Sequence, residues 1–311
     1  MISKHTIAIS LLPALTSSGI FLLMLAIGLG FPFLFLSLLP IFSVGFGKNP
    51  RHALEATLIA SVVIIMLTGA LSLGVMFVFF LGLPAWYFCH LARHALQFGE
   101  HKIWYPIGNI MAQLSVYACV LIGMAVVYYA SETGGITAVV STKIREAFTE
   151  MPAEYDTMVD TIANHWNFLI FSMLAWMWGA ALYGHAWLAN RRLVQTGKAL
   201  RDSLAVTVFA MPGWMLYLLF VAALASLIGS ESMQFAGKSC FTTLLLPYFF
   251  LGLAIIHRSS AQWPNRRFFL FFIYLMIASQ LWMMAIIAGI GFVNHLLQIN
   301  KRLSSGQISP K

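Results

Sequence analysis

The sequence is poor in charged residues. Among its 311 residues, 18 are lysine or arginine and 10 are aspartate or glutamate, so that only 9% carry charge. A soluble domain carries about 25% charged residues, and 9% cannot cover the surface of a globule of this size. Together with a hydrophobic fraction of 60% and a mean hydropathy of +0.84, this shortage predicts that a lipid bilayer surrounds most of the chain.

The motifs of common enzyme and metal sites are also missing. The three cysteines, Cys89, Cys119 and Cys240, lie in or beside apolar runs and form no CxxC pair, so we expect small core residues rather than disulfides or metal ligands. His90 and His94 would share one helix face, but no third ligand is evident and we predict no metal. Without a phosphate loop, GxSxG or zinc motif, the sequence predicts no enzyme and no cofactor.

Apolar runs of membrane-spanning length recur along the chain, and a helix needs about 20 such residues to cross a bilayer. The first run is too long for a removable signal peptide. The second is short and lies between Pro32 and Pro40, which fits a half-helix or a tightly paired partner of the first run. The candidates are residues 6–30, 31–47, 53–73, 75–94, 106–130, 167–189, 206–229, 239–257 and 268–297. They predict an all-α, polytopic transmembrane helix bundle with eight or nine spans, as one integral membrane domain over residues 1–311.

The basic residues indicate the orientation of the bundle. A cytoplasmic N-terminus places twelve lysines and arginines inside and six outside, as expected because these residues resist translocation. Seven of the ten acidic residues then lie outside. The net charge of +8 is explained by this topology, and no nucleic-acid partner is expected. The basic tail at 300–311 would be outside after nine spans and inside after eight, so both counts stay open.

One extended segment, residues 131–165, falls outside the membrane on this topology. Apolar residues recur at helical intervals on both sides of Pro152, which predicts two short amphipathic helices at the membrane interface. This pair could tie two spans together, or it could form a lid over a cavity that opens to the exterior.

Neutral polar and aromatic residues enter the apolar runs, whereas no acidic or basic residue lies at the centre of a span. The absence of central charge argues against a proton relay. Asparagine and glutamine can join helices by hydrogen bonds in lipid, and they can also line a small-molecule pocket. The candidate ligand-binding residues are Asn109, Gln113, Trp176, His185 and Gln280.

Ser10, Ala14 and Ser18 form a row of small residues, spaced every fourth position, in the first apolar run. Small side chains let another helix approach closely, and such contact supplies much of the association energy between helices in lipid. We therefore predict that this row is a docking face. Its partner is either another span of the same chain or a separate membrane subunit.

Several stretches resemble a known family. They are FPFLFLSLLPIFSVGFG at 31–47, LGLPAWYF at 81–88, LPYFFLGLAIIH at 246–257 and GIGFVNHLLQINKR at 289–302. With them the chain resembles the uncharacterised YybS-like bacterial integral membrane proteins, which are similar to the S components of energy-coupling-factor vitamin transporters. The resemblance implies the bacterial cytoplasmic (inner) membrane. It also implies that Ser10, Ala14 and Ser18 dock a partner subunit.

Two functions fit these observations. The first is a small-molecule-binding subunit of a transport system, with a cavity open to the exterior beside residues 131–165. The alternative is a non-transporting membrane scaffold or assembly factor, with a closed core, that acts through contacts between helices.

Overall fold

Helices make up most of the residues that the structure describes. The computed structural model describes residues 4–28, 30–98, 101–199, 201, 204 and 209–304. Within these residues one two-stranded antiparallel hairpin interrupts the helices, so the prediction of an all-α fold is confirmed. Contacts divide the chain into two compact units: unit 1 comprises Met1–Ile110 and Met177–Val208, and unit 2 comprises Met111–Trp176 and Phe209–Lys311.

Unit 1 contains the N-terminal helices and the hairpin. Its elements are α1 (Lys4–Ile27), α2 (Phe31–Leu34), α3 (Leu38–Gly47), α4 (Pro50–Thr68), α5 (Leu71–Met76), α6 (Leu83–Ala92), β1 (Ala95–Phe98) and β2 (His101–Trp104). A π-helical stretch, Phe77–Gly82, joins α5 to α6. Two longer helices, α7 (Ile107–Tyr128) and α10 (Phe168–Gln195), contribute residues to both units.

The segments of unit 1 alternate in direction. The start of α1 lies beside the start of α4, because Ser10 donates a hydrogen bond to Glu55. These two helices therefore run parallel, and the short apolar run that contains α2 and α3 returns the chain between them. The end of α6 comes back to the start of α4, where Arg93 Nη1 donates to the carbonyl oxygen of Lys48 at 3.2 Å. The second apolar run is thus a paired partner of the first helix.

Local sequence explains where α4 begins and ends. The side chain of Asn49 accepts a hydrogen bond from the amide of Arg51, which satisfies one of the free donors at the helix start, and Pro50 suits the first helical position. Gly69 ends the helix with φ 68°, a left-handed conformation that glycine adopts without strain.

Unit 2 contains the C-terminal helices and residues 131–165. Its further elements are α8 (Gly135–Ala147), α9 (Asp156–His165), α11 (Met215–Leu227), α12 (Glu231–Leu244), α13 (Leu246–Ser259), α14 (Arg266–Ser279) and α15 (Leu281–Ser304). The apolar faces of α8 and α9 pack on each other and on Phe235 of α12, in a cluster with Ile136, Val140 and Val159. The apolar faces of α8 and α9 are therefore covered by other residues of the described chain.

The sequence predicts one span over 268–297, but the structure divides this run into α14 and α15. The helix stops at Gln280, whose backbone is extended (φ −134°, ψ 106°). The side chain of Gln280 accepts a hydrogen bond from Trp282 Nε1 at 3.1 Å. A polar residue that bonds locally competes with the helical backbone, and the apolar composition alone does not reveal this break.

Seven helices of the described chain are long and apolar enough to cross a membrane, and Pro32–Gly47 and Met215–Leu227 are shorter apolar helices. The predicted count of eight or nine spans is therefore not confirmed by helix length. Large apolar side chains are widely exposed, for example Leu12 at 71% and Met66 at 78%. Extensive apolar exposure is unusual for a soluble monomer, and it supports a membrane protein.

Candidate functional site

The five candidate ligand-binding residues are distributed over both units. Asn109 and His185 belong to unit 1, whereas Gln113, Trp176 and Gln280 belong to unit 2. Asn109 and Gln113 are half-buried on α7, and Gln280 is exposed. None of the five lines either of the two cavities described below. Their role in binding stays a prediction.

Trp176 and His185 each form a hydrogen bond to a backbone carbonyl of a helix. Trp176 Nε1 donates to the carbonyl oxygen of Thr242 at 2.8 Å and thereby ties α10 to α12. His185 Nδ1 lies 2.7 Å from the carbonyl oxygen of Ala181 in its own helix. The contact of Trp176 is that of a residue that joins two helices, the simpler of the two interpretations, whereas that of His185 is local to α10.

The row Ser10, Ala14 and Ser18 is buried within the chain. Helix α1 packs along α3 and α4, and Ser17 Oγ, beside the row, donates to the carbonyl oxygen of Ser37 at 2.6 Å. A separate subunit would have to displace helices of this chain in order to reach the row.

Ser10, His52 and Glu55 form a polar cluster at the start of α1 and α4. Ser10 Oγ lies 2.6 Å from Glu55 Oε2 and 3.2 Å from His52 Nδ1, and His52 Nδ1 lies 3.1 Å from the same carboxylate oxygen. A catalytic triad places the serine on one ring nitrogen and the acid on the other. Here both approach Nδ1, so the cluster is suited to joining the helices rather than to nucleophilic catalysis.

A cavity of about 560 Å³ opens between the start of α4 and the end of α6. Both helix ends bring basic residues to it, because the segments of unit 1 alternate in direction. The polar and aromatic residues on its wall are Asn49, Arg51, Trp86, His90, Arg93 and His94. The sequence alone suggests for His90 and His94 no role other than that of metal ligands. Among the described residues, no group of three or more histidines, cysteines or carboxylates could hold a metal ion.

Aromatic contacts order the α6 wall of this cavity. The rings of Trp86 and His90 stack with centroids 5.7 Å apart, and His90 meets His94 edge to face at 4.7 Å. His94 donates from Nδ1 to the carbonyl oxygen of His90 at 2.9 Å. Its Nε2 atom is then available for a different partner.

The charged side chains that line the cavity are the two arginines, Arg51 and Arg93. In the part of the chain that the structure describes, the ion pairs involve Glu55, Glu146 and Asp160, and none of these carboxylates lines the cavity. The guanidinium groups of Arg51 and Arg93 therefore have no carboxylate partner among the described residues. Positive charge that is not neutralised within the protein favours an anionic ligand.

Arg201 is a buried cation, which the sequence does not distinguish from the other basic residues. Its Nη1 atom donates to the carbonyl oxygens of Ala92 at 3.1 Å and Tyr105 at 3.0 Å, and the guanidinium lies over the ring of Trp104. Burial lowers the pKa of Arg201 to about 10, so the side chain stays charged at pH 7. It ties the end of α6 to the end of the hairpin.

A second cavity of about 330 Å³ lies between α7, α11 and α12 and is lined almost entirely by apolar side chains. Cys119 and Cys240 are on its wall, and all three cysteines are free thiols. Cys119 Sγ donates to the carbonyl oxygen of Cys240 at 3.8 Å, and Cys240 Sγ to that of Cys119 at 3.9 Å. These contacts hold α7 and α12 close together.

Comparison with known protein families, with curated proteins and with solved structures finds no match to this chain. Functional inference therefore rests on the geometry of the two units.

Proposed function

We propose that this chain is a multi-pass protein of the bacterial cytoplasmic membrane that binds a small molecule as a subunit of a transport system. The observation that carries the proposal is the cavity of about 560 Å³ in unit 1. Its volume falls within the range of roughly 300–1,000 Å³ that small-molecule sites occupy. The resemblance to the YybS-like proteins and the S components supports the same class of protein.

The proposed orientation places the N-terminus and this cavity on the cytoplasmic side. Lys48, Arg51 and Arg93 cluster at this end of unit 1, and basic residues are concentrated on the cytoplasmic side of membrane proteins. The ligand would then enter from the cytoplasm rather than beneath residues 131–165. Ser10, Ala14 and Ser18 are buried. A scaffold that docks a partner through this row is therefore the weaker alternative.

The test is retention of a ligand by the full-length protein, purified in a mild detergent and measured by native mass spectrometry. Leu54 lies on the cavity wall, and Leu58, one turn further along α4, is exposed. Leu54→Trp should reduce the cavity, whereas Leu58→Trp adds the same bulk outside it. We expect a small molecule on the wild type and on Leu58→Trp, and its loss from Leu54→Trp.

A wild-type protein that carries no small molecule but copurifies with another protein would favour the scaffold instead. A small molecule that Leu54→Trp retains as well as Leu58→Trp would contradict the assignment of this cavity.

A further inference from the structure

We propose that the cavity between α4 and α6 recognises a phosphate group, carried either by an anionic lipid headgroup or by a soluble phosphorylated molecule. This inference rests on the proposed function and specifies the ligand class of the same cavity. Arg51 in α4 and Arg93 at the end of α6 both line this cavity.

Two guanidinium groups on one cavity are suited to a phosphate. Each guanidinium presents a planar fork of N–H donors that matches two oxygens of a phosphate, and its charge strengthens the hydrogen bonds. Arg93 uses one Nη1 donor on the carbonyl oxygen of Lys48, which leaves other donors of its fork for a ligand. No described carboxylate competes for these donors at the cavity.

The start of α4 adds to the positive potential. A helix N-terminus carries a partial positive charge that favours anions. The amides of Arg51 and His52 already bond to Asn49, and Pro50 has no N–H, so most backbone donors of the first turn are occupied or absent. The arginine side chains, rather than the backbone, therefore carry the recognition.

The remainder of the wall suits an organic group attached to the phosphate. The cavity is far larger than a phosphate ion, and Leu54 and Trp86 supply apolar surface next to the arginines. A basic pocket between helices on the cytoplasmic side is also a typical site for phospholipid headgroups. Both a lipid and a soluble phosphorylated molecule satisfy this arrangement.

The experiment measures binding of two probes to the full-length protein in a nonionic detergent. Phosphatidylglycerol, compared with diacylglycerol that has the same acyl chains but no phosphate, tests the lipid source by native mass spectrometry. Glycerol 3-phosphate, compared with acetate at the same ionic strength, tests the soluble source. The binding of either phosphate probe above its comparison compound supports the proposal and identifies its source.

The key variant is Arg51→Gln with Arg93→Gln. Its control is Arg191→Gln with Arg192→Gln, which removes the same charge from exposed residues of unit 1 that do not line the cavity. We expect the first pair to weaken binding of the phosphate probe by about tenfold or more, because charge-assisted hydrogen bonds are lost, and the control to change it by less than about twofold. Thermal unfolding of each variant checks that it folds.

Leu54→Trp gives a second measurement, since it keeps both arginines but reduces the cavity, and it should also weaken binding. Equal weakening by the two arginine pairs, or no preference of the wild type for either phosphate probe, would overturn the proposal. If the wild type retains a phosphate-free molecule that Leu54→Trp loses, the phosphate class fails and the proposed function stands. If nothing is retained and no probe binds, both fail.

Discussion

Ser10 donates a hydrogen bond to the carboxylate of Glu55, 45 residues further along the chain, with 2.6 Å between the two oxygen atoms. Ser10 is fully buried, and the bond joins the second turns of α1 and α4. The bond therefore shows that the two helices start at the same end of unit 1.

A double-mutant cycle should detect this bond. With Ser10→Ala and Glu55→Ala, we expect a coupling free energy of about 1 kcal/mol in the free energy of unfolding, because one hydrogen bond to a charged group is shared by the two residues. The control pairs Glu55→Ala with Thr16→Ala, since Thr16 is exposed and bonds within α1. Similar coupling in both pairs would contradict the assignment.

Two glycines of α15 predict opposite responses to alanine. A Cβ atom on Gly291 would lie 2.0 Å from the carbonyl oxygen of Tyr248 in α13, whereas one on Gly289 meets nothing within 4 Å. We expect Gly291→Ala to lower the free energy of unfolding by about 3 kcal/mol, because the backbones must separate. Gly289→Ala should leave it unchanged or raise it by about 0.5 kcal/mol, since alanine favours a helix. Thermal unfolding in detergent distinguishes the two variants. Equal effects would contradict the close contact between α13 and α15.

The contacts between Cys119 and Cys240 predict a cross-link. Each thiol lies within 3.9 Å of the carbonyl oxygen of the other residue, so their Cα atoms should meet the spacing that a disulfide needs. Oxidation by copper phenanthroline should join them, as measured by mass spectrometry of peptides, while the buried Cys89 stays unlinked. Cys240→Ser is the control. Failure to form the link under conditions that oxidise both thiols would contradict the packing of α7 on α12.

Loss of Arg201 should loosen the end of α6 from the hairpin. Arg201→Ala removes donors to the carbonyl oxygens of Ala92 and Tyr105, and we expect a loss of about 2 kcal/mol in the free energy of unfolding. Exposed Arg192→Ala is the matched control. Because burial lowers the pKa of Arg201 only to about 10, its contribution should not vary between pH 6 and about pH 9. If the difference in the free energy of unfolding between the wild type and Arg201→Ala depended strongly on pH in this range, it would contradict a charged Arg201 side chain.

The composition predicted the helical, membrane-like fold because few backbone structures are stable in lipid. Lipid offers no hydrogen bonds to the backbone, so an apolar chain of this length must satisfy its own N–H and C=O groups, most simply as helices. The spacing of Ser10, Ala14 and Ser18 likewise predicted a close helix contact. It could not identify Glu55 as a partner, because spacing within one helix contains no information about the helix that covers it.

The cavity between α4 and α6 was not predicted, although the residues that line it can be recognised in the sequence. Asn49 and Pro50 mark a helix start, and His90 and His94 share a face beside Arg93. The alternating topology places the start of α4 and the end of α6 on the same side, but the sequence does not show that these two ends lie next to each other. The break at Gln280 was missed for a related reason, because one polar residue hardly changes the mean hydropathy of the run around it.

The central claim is that lipid surrounds this chain, with the cationic cavity on the cytoplasmic side and residues 131–165 outside. Labelling of single introduced cysteines by a membrane-impermeant maleimide in intact cells tests it most directly, with the wild type as the control for its native thiols. Glu150 lies in residues 131–165, which we propose to be outside, and Leu96 is exposed in the hairpin that follows the cavity residue His94. We predict that Glu150→Cys reacts in intact cells and that Leu96→Cys reacts only after the cells are opened. The reverse pattern, or recovery of the protein in the soluble fraction, would contradict the claim.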